Sequence, residues 1–192
     1  RLDAGTKKST VNRDITALRS VVSRALDWGF LEIHPLSRVK PCKLDQISKP
    51  RYLAPKELER LHKALDVREF KLREKRANYN KWRRDRDLPE LPDLTACGYA
   101  DHLKPMVLLA LNTGLRRGEL FNLEWSDCDL ESDSPVLTVR GESAKSGRTR
   151  HVPLNNVALH LLKDWKLQTE GGELVFKSPK TGGRFDNINK SW

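Results

Sequence analysis

Apolar residues recur at three- and four-residue steps through Val11, Ile15, Leu18, Val22, Ala25 and Leu26. That spacing marks one side of a helical turn and predicts a helix over about 10–28 with a buried face. Ser9 or Thr10 suits its N-cap and Gly29 its stop. Pro35, Pro41 and Pro50, with Lys40, Lys43, Lys49 and Arg51 around them, then predict an extended basic linker. Ala54-Pro55 opens a second helix, with Leu58, Leu61 and Leu65 as its stripe. From Arg68 to Asp87 the chain is dense in charge of both signs. It reads as a helix extension or an exposed insertion, ended by Pro89 and Pro92. Tyr99–Asn112 is the most apolar helix, and a short one follows Gly114 over Arg117–Leu123.

Beyond residue 130 the period changes. Val136–Arg140 alternates as a strand does, and Arg148–Pro153 is its candidate partner across a Glu142–Gly147 loop. Val157, Leu161, Leu162 and Trp165 predict a helix over 155–168; Leu174–Phe176 predicts a short strand, and Asp186–Trp192 the start of another helix. Trp28, Trp125 and Trp165 lie on apolar faces and are expected in the core.

Composition narrows the class. The 192 residues carry 36 Lys+Arg against 26 Asp+Glu, a net charge of +10, with 38% hydrophobic residues, enough for a core. The charge is uneven: residues 1–51 hold +6, 52–98 hold +3 and 99–192 hold +1. The N-terminal part is therefore the first candidate for a polyanion partner. No apolar run is long enough to span a bilayer. Three widely spaced cysteines, Cys42, Cys97 and Cys128, make no disulfide framework, and with the histidines they show no zinc spacing, so no metal is expected. A reducing cytoplasm is the expected compartment.

Two segments carry candidate chemistry. In Leu111-Asn-Thr-Gly-Leu-Arg-Arg-Gly-Glu-Leu120, an apolar helix ends at a Thr-Gly turn and a double arginine opens the next helix. Free N–H groups at a helix start, with a guanidinium beside them, suit a phosphate. The same spacing also allows Arg116 and Glu119 to form a local i,i+3 ion pair. In Arg140-Gly-Glu-Ser-Ala-Lys-Ser-Gly-Arg-Thr-Arg-His-Val-Pro-Leu154, a hairpin tip presents Lys145 among small residues, as a proton donor, a phosphate contact or a solvated turn. It is not a P-loop, whose glycine spacing is missing.

These two motifs, with Leu123-Glu-Trp-Ser-Asp127 between them, resemble the tyrosine recombinase family of phage-type integrases. The flanks resemble it too: Ser9–Arg13 through Asp27–Leu31 and His34-Pro35 match the end of a helical core-binding domain, and Tyr52–Leu58 the opening of the catalytic domain. Only about 66–98 falls outside. The resemblance implies a mainly α (α+β) fold with a small antiparallel sheet. It implies residues 1–34 as the end of the core-binding domain, 35–51 as interdomain linker and 52–192 as the first part of the catalytic domain, with 66–98 inserted.

The family cleaves DNA through a 3′-phosphotyrosyl intermediate, without a nucleotide cofactor, to integrate or excise phage and mobile DNA. The resemblance implies Arg116 as a catalytic arginine, Glu119 as the acidic group behind it and Lys145 as general acid; Arg117 takes the neighbouring variable position. Lys7, Lys8, Asn12, Arg13, Lys49, Arg51, Arg140, Arg148 and Arg150 are the expected contacts to double-stranded DNA, mostly to its backbone. The family's His-x-x-Arg and nucleophilic tyrosine have no match, because Tyr52, Tyr79 and Tyr99 all precede Arg116. The expectation is a fragment that binds DNA without cutting it, from a bacterial, nucleoid-associated parent acting as a homotetramer. A naturally truncated DNA-binding regulator, or an unrelated helical adaptor, are the alternatives.

Overall fold

The computed structural model describes residues 3–44, 51–142, 147–169, 172–189 and 191. The expected contacts Lys49 and Lys145 lie outside them. Two compact units make up the chain, Arg1–Tyr52 and Leu53–Trp192.

In the first unit, helix α1 spans Lys8–Asp27. Its N-cap is Lys7, with no side-chain cap, in place of the expected Ser9 or Thr10. Its end follows the expectation: Gly29 takes φ +75°, and the N–H groups of Gly29 and Phe30 bond back to the carbonyls of Leu26 and Ala25. The predicted buried face is not buried. No α1 residue is buried, and Leu18 and Val21 stand 58% and 67% exposed. Periodicity marked the face correctly, but nothing in this unit covers it. Trp28, expected in a core, is 68% exposed and meets only the edge of Phe30. The segment after α1 is pinned by polar side chains: Asn12 exchanges two bonds with the Cys42 backbone, at 2.7 and 2.9 Å, and Arg19 donates to the carbonyls of Leu36 and Val39.

The second unit opens with α2, Pro55–Arg84, an unbroken helix of 30 residues. Pro55 is its first residue, and Glu57 reaches back to accept the Ala54 N–H at 3.0 Å. The charged stretch is thus a continuation of the helix. Its partner is the proline-containing return 89–98, whose extended backbone leaves carbonyls without sheet partners. Arg83 donates to Pro89 O, Arg76 to Pro92 O, and Arg73 to the carbonyls of Leu94, Cys97 and Gly98. Buried Asn80 exchanges two bonds with the backbone of Leu91, at 2.8 and 3.0 Å, as a strand neighbour would. The middle of α2 is tied to the next helix by carboxylates: Glu69 accepts from Ala100 N and Lys104 Nζ, and Arg68 is bidentate on Asp101.

Helix α3, Leu103–Thr113, ends on Gly114 at φ +65°. Helix α4 is a single turn, Arg117–Phe121, and a 3-10 turn over Trp125–Asp127 leads into the sheet. Strands β1 (Cys128–Asp129), β2 (Val136–Val139) and β3 (Arg150–Pro153) are antiparallel in that order, with Cys128 opposite Leu137 and Thr138 opposite His151. Helix α5, Asn156–Gln168, is capped by the Asn155 side chain, which accepts the Ala158 N–H at 2.8 Å. The core joins Met106 and Leu109 of α3, Phe121, Leu137 of β2, Leu162 and Trp165 of α5, and Val175 and Phe176. Each such side chain contributes about 1.5–3 kcal/mol when fully buried.

The mainly helical fold with a small antiparallel sheet is as expected. Three details differ. Strand β1 was not foreseen. Leu174 makes only an isolated bridge to Glu124, because the segment passes the end of the 3-10 turn and bonds through Val175 N to Leu123 O. Among the described residues, 186–191 holds no helix.

Candidate functional site

The Thr-Gly-Leu-Arg-Arg motif turns the chain sharply. Gly114 adopts the left-handed conformation that ends α3, Leu115 is buried, and Arg116 follows in extended backbone as the N-cap of α4. Three residues on, Glu119 is buried at 3% exposure. Its Oε2 accepts the backbone N–H of Arg116 at 2.8 Å, and its Oε1 accepts Arg116 Nη1 at 3.0 Å. The ion pair that the spacing allowed is therefore present. It does not withdraw Arg116 from solvent, since the side chain stays 59% exposed. Its remaining guanidinium N–H groups meet no acceptor among the described residues. The helix-start reading is corrected: α4 is one turn long and Glu119 takes the first N–H. The positive charge here comes from the guanidinium.

Arg150 reaches the same carboxylate from β3. Its Nη1 and Nη2 donate to Glu119 Oε1 and Oε2 at 3.0 and 2.7 Å. The sequence reading placed Arg150 against DNA, but its fork is aimed at a buried anion instead. Glu119 thus holds two guanidiniums from elements 31 residues apart in sequence. The Arg150 hydrogen bonds, with those from Arg116, hold the Glu119 carboxyl down to about 2 despite burial.

The other expected contacts separate into groups. Arg140 clamps the turn before the sheet, donating to Asp127 and Glu124 at 2.7 Å each and to Ser126 at 3.0 Å. It braces the Leu-Glu-Trp-Ser-Asp motif rather than standing free for a phosphate. Asn12 is spent on the Cys42 backbone. Lys7, Lys8, Arg13, Arg51 and Arg148 are exposed. Where the hairpin loop begins and ends, Gly141 and Gly147 approach so closely that a Cβ on Gly141 would lie 2.8 Å from the Gly147 carbonyl oxygen. Sequence reasoning missed the Arg150–Glu119 pair. A basic residue beside a hairpin loop reads the same whether it meets phosphate or a buried carboxylate. Among the described residues, no group of His, Cys, Asp and Glu could hold a metal ion. No described helix is long and apolar enough to cross a membrane.

The Arg116–Glu119–Arg150 arrangement, the sheet and the core all lie in a segment that matches a known family. The profile of the phage integrase family covers residues 93–188, half of the chain. The chain belongs to that family. It is 25% identical over 181 residues to the tyrosine recombinase XerC of Xylella fastidiosa (strain 9a5c), covering 94% of this chain and 49% of that protein. Over 61 residues, 32% of this chain and 15% of the other, it is 41% identical to the integrase of Salmonella phage P22. The chain spans about half the length of the curated relatives it matches. Among solved structures, a Tn1549 transposon integrase in complex with circular-intermediate DNA superposes with a TM-score of 0.57. It covers 95% of this chain and 55% of that one at 17% identity, a likeness of fold.

Proposed function

We propose that the protein to which this chain belongs is a site-specific DNA recombinase that integrates or excises phage or mobile DNA, and that this chain supplies its DNA-holding half. The observation that carries the reading is Arg116. Its guanidinium is half-tethered on a buried carboxylate while the rest stays exposed. Such a group binds a non-bridging oxygen of a scissile phosphate, where charge builds during strand transfer. Glu119 fixes its orientation, and Arg150 keeps Glu119 ionised and in place. Lys145 is the proposed proton donor to the leaving 5′-oxygen. No tyrosine follows Arg116 in this chain, so we assign it binding of double-stranded DNA without cleavage. Residues 1–34 are proposed as a core-binding segment with Lys7, Lys8 and Arg13 toward the phosphates, and 35–51 as the linker to the catalytic part. The relative from Tn1549 is an integrase bound to DNA, which supports DNA as the partner. A homotetramer working in a bacterial cytoplasm is the corresponding assembly and compartment.

The test uses the full-length protein and a nicked attachment-site duplex that traps the covalent adduct. Arg116→Ala is expected to lower adduct formation about 100-fold or more, as loss of one charge-stabilising donor does. Undiminished adduct formation would overturn the assignment.

A further inference from the structure

The second half of α2 carries a surface that the Arg116 site does not use. Tyr79 and Trp82 stack on it, ring centroids 5.6 Å apart and planes 9° from parallel. The Arg86 guanidinium lies over Trp82 at 4.4 Å, and that of Arg83 over Tyr79 at 5.6 Å. Tyr79 and Trp82 remain 45% and 43% exposed, so this ladder of flat groups stands at the surface. Lys75 precedes Tyr79 by four residues and Lys71 precedes Lys75 by four, which sets them along the same side of the helix. Among the described residues, Lys71, Lys75 and Arg86 are in no ion pair; the nearby Glu90 is taken by Arg84. The helix beneath them is stiffened by the bonds that sew it to 89–98.

We propose that this stripe is a second grip on duplex DNA, contacting backbone phosphates. The inference rests on the DNA-binding reading above. Lys71 to Arg86 spans about 22 Å of helix rise, roughly six base-pair steps of a duplex. Cations set in line along a rigid rod match a linear polyanion better than a compact acidic patch on a protein. The rings favour a duplex over unpaired bases. Stacked on each other and under guanidiniums, they offer little open π-surface to a base. They hold Arg86 in one orientation, which lowers the entropy lost when it meets a phosphate.

The test measures binding of this chain to a random-sequence duplex by fluorescence anisotropy across a salt series. The triple variant Lys71→Gln, Lys75→Gln, Arg86→Gln is expected to lower the slope of log K against log salt by about 2–3, near 0.9 for each phosphate no longer neutralised. Far-UV circular dichroism checks that it folds. Amine acylation of the wild-type chain gives a readout without mutation: the duplex should protect Lys71 and Lys75. Wild-type affinity and slope in the triple variant, or undiminished acylation of both lysines, would overturn the stripe while leaving the DNA reading intact. A variant that keeps its DNA slope and loses self-association would assign the surface to a second copy of the chain, and equally overturn the proposal. A wild-type chain that binds no duplex at low salt would overturn both readings.

Discussion

Glu119 and Arg150 meet as a two-armed pair, Oε1 to Nη1 at 3.0 Å and Oε2 to Nη2 at 2.7 Å, with the carboxylate side chain 2% exposed and the arginine 35%. A buried anion that loses its main donor keeps its desolvation cost. Arg150→Ala is therefore expected to destabilise the second unit by about 2 kcal/mol. Arg150→Lys should recover part of this, since an ammonium keeps the charge but not the fork. Urea denaturation of the three proteins checks the ranking, which fails if the lysine variant is no better than alanine.

Acid should act through the same carboxylate. Arg150 and Arg116 hold Glu119 at about 2, against its ordinary value of 4.5. As pH falls, the unfolded chain takes the proton first, so stability is full above 4.5 and is lost between there and about 2. In Glu119→Gln this part of the acid limb should flatten. Circular dichroism melts across that range, wild type against variant, would show parallel curves if the pair were unimportant.

The α2 extension gives a separate prediction. Asn80 is buried and pairs with both the N–H and the carbonyl of Leu91. Asn80→Ala leaves both backbone groups without that partner. A loss of about 1–3 kcal/mol in local stability is expected. Limited proteolysis should then cut within 89–98 well before the rest of the second unit. An unchanged cleavage pattern would show that the arginine bonds alone hold the return.

Gly141→Ala tests the neck of the hairpin. The new methyl would sit 2.8 Å from the carbonyl oxygen of Gly147, a backbone atom that cannot swing aside as a flexible side chain would. The strands must part, at an expected cost of about 1–3 kcal/mol. A thermal melt that matches wild type would mean the neck opens freely.

Local periodicity carried most of the fold. The apolar steps of α1, α3 and α5, and the alternation of β2, each reflect a single face meeting a single environment, which a short stretch of chain can encode. Strand β1 was hidden because two residues have no period; only pairing with Leu137 and Val136 makes them a strand. The open face of α1 shows the converse limit, since a stripe says that a face exists and not what covers it. At the site, Arg116 and Glu119 were legible as a pair because both readings of their spacing turned out compatible: an ion pair on one side and an exposed guanidinium on the other. Arg150 was legible as basic but not as a partner of Glu119, because 31 residues separate them. The stitches of Arg73, Arg76 and Arg83 were hidden for a related reason: their acceptors are carbonyls, which every residue has.

Those stitches differ in kind from the contacts at the middle of the same helix. There, α2 is moored through carboxylates, with Glu69 and Asp66 on Lys104 and Asp101 on Arg68. Protons compete for carboxylates and leave amide carbonyls alone. An acid titration should consequently cast off the mooring first, while the outer spar and its lashing to 89–98 swing away in one piece.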